Sequence, residues 1–390
     1  MVEVDVLLVA DSRFAGGTSA ALSADCRTLA ANGAKVGLLF VASSFFDPAR
    51  DPVNQAVLAL RDLEGVEEVP SGSAVTAELA FFHNPLLFFG GFEGRADLRA
   101  KRSVIVTHQP PFRGDGSLEY DPLATAWRVR RAFGVWPWWA PISAVTRHQL
   151  QSFTPAIRLA SEDWLNLFDP SEWVPGRAIF SGERPVVGRH GRADPLKWPA
   201  TAAEIAATLP SDDGWAVRVL GCPVEELDRL GVDCSAWEVL PFGAEPARAF
   251  LDSLDVFSYF TAPRWVEAFG RTVVEAALMA RPCVVEPRLG RTFGDFAIVC
   301  PAAEARQALA QLRDDPAKAR EIGRKGQAVC ADRYAAASLA ARYERLLRDP
   351  GTADRGEDRF ASRTLTARRM LGLYRRRLFP RRKDTAVAAG

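Results

Sequence analysis

An excess of one charge sign is what this sequence lacks first. Its 49 Lys and Arg stand against 48 Asp and Glu, a formal net charge of +1, so no global field argues for a nucleic-acid or strongly acidic partner. Cysteine pairs are missing as well. Cys26, Cys222, Cys234, Cys283, Cys300 and Cys330 are scattered without a C-x-x-C, and several fall in apolar patterns, so buried thiols in a reducing compartment are expected. No apolar run reaches membrane-spanning length. The opening Met1–Ala10 stretch carries Glu3 and Asp5 and has no basic n-region; it reads as a strand, not a signal peptide. A cytoplasmic protein is the expectation. The first Gly-rich turn, Asp11 to Ser19, does not have the G-x-G-x-x-G spacing, which argues against a dinucleotide-binding dehydrogenase.

What is present is an ordinary globular composition, 48% hydrophobic and 25% charged, on a chain too long for one core, so two domains are expected. The most informative stretch runs from Trp265 to Val285. Asp255 to Phe260 reads as a buried strand, a loop with Pro263 follows, then a helix from about Phe269 to Ala280, then strand character at Cys283-Val284-Val285. This is the repeating unit of a parallel sheet. Glu267 and Glu275 bracket the helix start. The main-chain amides of Ala268, Phe269 and Gly270 would be unpaired donors at the positive end of the helix dipole, a ready anion site, and Gly270 would let a ligand approach the main chain. Glu275 could accept hydrogen bonds from sugar or ribose hydroxyls. A nucleotide-sugar has the anionic centre and flanking hydroxyls that this layout suits.

Glu267-x7-Glu275, with Ala-Phe-Gly after the first Glu and Glu-Ala-Ala-Leu-Met-Ala at the second, resembles the E-x7-E motif of retaining glycosyltransferases of the GT-B fold, family 4 in particular. The resemblance implies that Glu267 and the amides after it hold the donor sugar and distal phosphate and that Glu275 holds the ribose, with Arg271 beside them. It implies an α/β protein of two doubly wound Rossmann-like domains facing across a cleft. It also implies no metal, in keeping with the lack of a well-placed Asp-x-Asp motif.

The remaining chain is taken in that frame. The turn at Gly16-Gly17-Thr18, between the first strand (Val4 to Ala10) and its helix, could cradle a phosphate or be a plain turn and N-cap; the resemblance matches it to the family's Gly-Gly turn. Ala80-Phe-Phe-His83 and Val104-Ile-Val-Thr-His108 read as strands ending in His, and by resemblance His108 touches the transferred sugar. The segment from Phe112 to Pro122 is polar and is expected to be mobile. Pro141 to Val145 is expected as the last strand of the first domain, and Leu159 to Gly182 as the linker. After Arg184-Pro-Val-Val-Gly188 the loop Arg189-His-Gly-Arg192-Ala-Asp-Pro-Leu-Lys197 offers Arg and Lys for a diphosphate. Arg189 with Lys197 is the preferred pair, Arg192 the alternative. The Pro241-Phe242-Gly243 turn, by resemblance, reads the nucleobase through its backbone.

The expected domains are residues 1–170, 171–348 with the last helix returning to the first domain, and a tail at 349–390. The tail interleaves arginines with Leu365, Met370, Leu371, Leu373, Tyr374, Leu378 and Phe379; it suits either the inner face of a cell membrane or a solvated state. The expected activity is retaining transfer of a sugar from a nucleotide-diphosphate sugar, with no cofactor, to a sugar, lipid-linked or small-molecule acceptor in glycan biosynthesis. The alternatives are an epimerase or phosphorylase of the same fold, or a silent nucleotide-sugar-binding subunit.

Overall fold

The computed structural model describes residues 1–211, 214–352 and 358–378. The chain divides into two compact units, Met1–Leu167 with Ala336–Gly390, and Phe168–Ala335.

The first unit is built on β1 (Val2–Ala10), β2 (Val36–Phe40), β3 (Val66–Glu68), β4 (Ala74–His83), β5 (Asp97–Thr107) and β6 (Trp138–Pro141). They form one parallel sheet in the order β3-β2-β1-β4-β5-β6. In β1 the residues Val6 through Ala10 are all buried, because a central parallel strand is covered on both faces and so becomes a continuous apolar run. Helix α1 (Gly17–Ala31) follows β1, α2 is Pro122–Phe133 and α3 is Ala144–Leu150.

Two expectations are corrected here. The last strand is Trp138–Pro141, not Pro141 to Val145. Ser143 instead caps α3: its Oγ accepts from the Thr146 amide at 3.2 Å, and Thr146 Oγ1 accepts from the Ser143 amide at 3.1 Å. A hydroxyl at this place satisfies amides that a strand would otherwise have paired. The segment after Phe112 is anchored, not mobile. Phe112, Leu118 and Tyr120 are buried in the core, and the Phe112 amide donates to Gln149 Oε1 at 2.7 Å. Three apolar anchors decide the matter against the polar residues between them.

Helix α5 (Leu339–Arg348) packs in this unit. Its Arg342 Nη1 donates to the Leu165 carbonyl at 2.9 Å, and the Tyr343 hydroxyl to Glu78 at 3.1 Å. Beneath it lies Asp25, 3% exposed, accepting a 3.0 Å hydrogen bond from Trp164 Nε1. Burial raises this carboxyl to about 7, against the Trp164 hydrogen bond and the Arg342 charge. Between the unfolded value of about 4 and 7 the folded chain holds a proton that the unfolded chain has released. The stability is therefore present in acid and lost as pH rises through 7. Asp25→Asn is expected to raise the melting temperature by about 4 °C or more at pH 8.5 and to change it least at pH 4. Thermal scans at the two pH values check this, and equal shifts contradict it.

The second unit repeats the plan with β7 (Val186–His190), β8 (Ala216–Leu220), β9 (Trp237–Leu240), β10 (Val256–Tyr259), β11 (Cys283–Val285) and β12 (Ile298–Val299). The parallel order is β9-β8-β7-β10-β11-β12, the same winding as the first sheet. Gly188 sits in β7 because a Cβ there would overlap the Arg218 carbonyl oxygen of β8. Val187, Val217, Val219, Val256 and Val284 fill the core with Trp198, Trp215 and Leu309. All six cysteines are free. Among the described residues no helix is long and apolar enough to cross a membrane.

Candidate functional site

In each unit the strand order reverses between the first strand and the fourth, β1 and β4 or β7 and β10. Open α/β sheets leave a ligand crevice beyond the carboxyl ends of such a pair. In the second unit β7 and β10 pair through Val187↔Val256 and Gly188↔Phe257, so the loops that follow them meet. These are the Arg189–Lys197 loop and the Thr261–Gly270 loop.

Glu267 is where they join. Its Oε2 accepts from the Tyr259 hydroxyl at 2.7 Å and from Trp265 Nε1 at 3.2 Å, and lies 3.4 Å from Lys197 Nζ. Burial pushes this carboxyl up, but the Lys197 ammonium and the Tyr259 and Trp265 donors outweigh it and hold the group below the ordinary carboxylate range. Glu267 is therefore an anion at neutral pH. Burial, with Glu267 adjacent, pushes the Tyr259 phenol far above its ordinary value, so it stays a donor. The Lys197 and Glu267 side chains remain 17% and 13% exposed, enough to reach a ligand.

Arg189 is placed differently from a free fork. It is buried, with Nη1 donating to the Phe260 carbonyl at 2.9 Å and Nη2 to the Lys197 carbonyl. Its guanidinium lies 4.2 Å from the Trp198 ring centroid and 5.0 Å from that of Tyr259. Burial lowers it to about 10, so it keeps its charge at neutral pH while fixing the turn that carries Lys197. Arg192 is exposed. The partner of the Lys197 turn is thus Arg189, through the main chain.

Helix α4 (Arg271–Leu278) begins two residues later than the sequence suggests. Gly270 takes φ +87° as its N-cap, a left-handed conformation that favours glycine, and Phe269 turns inward against Phe168, Phe293 and Tyr334. The Phe269, Gly270 and Arg271 amides have no main-chain partner among the described residues, as the first turn of a helix requires. On α4, Glu275 is buried. Its carboxylate lies 3.3 Å from His190 Nε2 and 3.4 Å from Arg271 Nη2. The His190 contact falls within ion-pair distance but lacks hydrogen-bond alignment. Of the two groups beside Glu275, His190 Nε2 and Arg271 Nη1 are buried without a hydrogen-bond partner among the described residues. Water or a polar ligand can supply such a partner. The exposed Phe242, with Gly243 at φ +82°, closes the turn after β9.

Sequence reasoning missed Tyr259, Trp265, His190 and Arg288. His190 carried a usable signal, a histidine at a strand end next to Arg189. Arg288 carried none, because its targets are carbonyls. It donates to the main chain of Thr261 (3.4 Å), Ala262 (3.2 Å), Pro263 (3.1 Å) and Trp265 (2.6 Å). It is anchored by Glu286, whose Oε2 accepts from Arg288 Nε at 2.6 Å. One guanidinium thus holds the loop that presents Glu267.

The first unit has its own constellation. Gly16 and Gly17 are exposed after β1, and Thr18 Oγ1 accepts from Asn84 Nδ2 at 3.3 Å. Asn84 follows β4 with φ +72°, a strained setting for a non-glycine residue. His83 Nδ1 and His108 Nε2 are 3.1 Å apart with stacked rings. Burial keeps both neutral, lowering His108 to about 3 and His83 well below its ordinary value. His83 Nε2 is buried without a partner. The tautomer that leaves no buried N–H orphaned puts the proton on His83 Nδ1, with His108 Nε2 accepting. His108 then carries its own proton on Nδ1, free to donate.

No protein-family model and no curated protein matches the sequence. Solved structures do match. HepE of Anabaena, crystallised with UDP-glucose, superposes with a TM-score of 0.59 at 15% identity over 88% of this chain and 99% of that one. WaaG, a glycosyltransferase involved in lipopolysaccharide biosynthesis, gives 0.55 at 14% identity over 88% and 99%. A glycosyltransferase from Rickettsia africae gives 0.52 at 10% identity over 97% and 99%. The chain therefore has the fold of the GT-B glycosyltransferases, two parallel-sheet Rossmann-like domains.

Proposed function

We propose that this protein is a retaining, metal-independent glycosyltransferase that moves a sugar from a nucleoside-diphosphate sugar to an acceptor hydroxyl. The observation that carries the reading is the meeting of Glu267 and Lys197, 3.4 Å apart, at the amino end of α4. A lysine beside unpaired helix amides suits the diphosphate, and a fixed carboxylate next to it suits the sugar hydroxyls.

In this reading Lys197 and the Ala268–Gly270 segment take up charge on the leaving diphosphate as the bond from the sugar's anomeric carbon to phosphate oxygen breaks. The acceptor oxygen bonds to that carbon from the same face, and its proton passes to a phosphate oxygen. The products are the glycoside and the nucleoside diphosphate. Glu267 positions the sugar and forms no covalent bond. Glu275, with His190 and Arg271, binds the ribose; the Phe242–Gly243 turn lies at the base; Arg189 holds the Lys197 turn. Gly16, Gly17, Thr18 and His108 stay with the first unit's own crevice, as phosphate- or acceptor-side groups, with the neutral His108 able to donate to a sugar hydroxyl there.

Nucleotide-sugars screened by thermal shift, with the hit tested for slow hydrolysis and transfer in EDTA, check the proposal. The expected product keeps the anomeric configuration of the donor by proton NMR. An inverted product, or a requirement for a divalent ion, contradicts it. Arg288→Lys keeps the charge but loses the planar fork. It is expected to lower kcat/KM about 10–100-fold through misplacement of Glu267, while nucleoside-diphosphate affinity stays within about threefold. Unchanged turnover removes the clamp from the account.

A further inference from the structure

Two helices of the first unit, outside the proposed donor site, carry exposed arginines beside exposed apolar side chains. Helix α6 (Arg363–Leu378) has six arginines and no acidic residue. Its inner side is docked: Thr366 and Leu373 are buried, the Tyr374 hydroxyl donates to Asp121 Oδ2 at 2.7 Å, and Arg376 Nη2 donates to the Leu118 carbonyl at 3.0 Å. Its outer side keeps Leu371 57% exposed, with Leu365 also exposed. Arg368, Arg369, Arg375 and Arg376 share a hollow with Leu365 and Leu371. None of these four arginines has an ion-pair partner within 4 Å among the described residues.

Asp121 also caps α2, its Oδ1 accepting from the Leu123 and Ala124 amides at 2.8 and 3.3 Å. The Tyr374 bond therefore sets the end of α6 against the start of α2. Trp127 follows roughly 9 Å along α2. It is 49% exposed, with the Arg131 guanidinium 4.8 Å from its ring centroid, and Trp136 is 47% exposed with Arg130 at 5.8 Å. Helix α2 likewise contains no acidic residue.

We infer that the outer faces of α6 and α2 dock on an anionic lipid surface. The charge alone would equally suit RNA or an acidic protein. The exposed leucines and the two indoles beside arginines separate the cases. Exposed leucine and tryptophan side chains among arginines gain by entering the headgroup boundary, where the guanidiniums meet lipid phosphate. With a net charge of only +1 on the whole chain, this concentration of arginine is local. The further basic residues Arg381, Arg382 and Lys383 lie outside the described residues. The inference does not depend on the donor assignment, since no residue of the two helices belongs to that site.

The test is co-sedimentation of the full chain with vesicles of phosphatidylcholine alone and of phosphatidylcholine with 30% phosphatidylglycerol. Binding at least tenfold stronger to the anionic vesicles, and weakening steeply between 50 and 300 mM salt, is expected. Arg368→Glu with Arg375→Glu is expected to lower that partition at least tenfold, and Leu365→Ser with Leu371→Ser to remove what survives at 300 mM salt. All four positions are partners of solvent, so unchanged melting temperatures should accompany these losses. Equal binding to both vesicles, no binding to either, or partition untouched by the charge reversals overturns the inference. So does tight binding to single-stranded RNA without vesicle binding.

Discussion

Lys197→Ala is expected to weaken nucleoside-diphosphate binding by about 10–100-fold, because a charge-assisted contact to phosphate contributes about 1.5–3 kcal/mol. The side chain lies over Trp265, its nitrogen 5.2 Å from the ring centroid, and beside Glu267 at 3.4 Å. It reaches no other acidic group within 4 Å among the described residues, so its truncation leaves Glu267 with two neutral donors, Tyr259 and Trp265. The Glu267 carboxyl should then rise, since the lysine charge is the largest influence holding it down against burial. Two readouts follow from one substitution. Calorimetric titration should show the lost affinity, and the acid limb of the donor pH profile should move upward. Unaltered affinity removes Lys197 from the phosphate site.

Glu267→Gln has the opposite signature. Donor turnover should fall about 10²–10³-fold, the scale on which one preorganised polar group acts at a reacting centre. Nucleoside-diphosphate affinity should hold or improve, because a negative charge next to the phosphate site has been removed and Lys197 is left unneutralised. Glutamine keeps the volume and an acceptor for Tyr259, so the fold should survive; a thermal scan checks it. Parallel loss of affinity and turnover would mean that Glu267 supports the pocket instead of positioning the sugar.

The two substitutions separate because the sequence already placed the two residues on different loops. That much was legible: Val6 to Ala10 is a continuous apolar run and Val256 to Tyr259 one broken only by Ser258, of the kind that doubly covered strands carry, and a helix near the Glu-Ala-Phe-Gly step was expected, although its first residue is Arg271 and not Phe269. The two-sheet architecture was within reach of the pattern. What escaped was direction. Arg189 reads in the sequence as a free cation after a strand, yet its arms end on the Phe260 and Lys197 carbonyls. Main-chain oxygens leave no mark in a sequence, and the same is true of the carbonyls gathered by Arg288. The His83–His108 pair escaped for a related reason, since two strands adjacent in the sheet bring together residues 25 positions apart. Tail helix α6 read as basic and amphipathic; which of its faces is docked depends on Asp121 and Leu118, more than 250 positions away.

The central claim is a place: a nucleoside diphosphate sits where the Lys197 turn meets the start of α4. Hydrogen–deuterium exchange of the full chain with and without saturating nucleoside diphosphate tests it most directly. The account expects slowed exchange in peptides covering Gly188–Trp198 and Trp265–Val274, and the loss of that slowing in Lys197→Ala. Binding that is saturable by calorimetry yet leaves both peptides unchanged would contradict it.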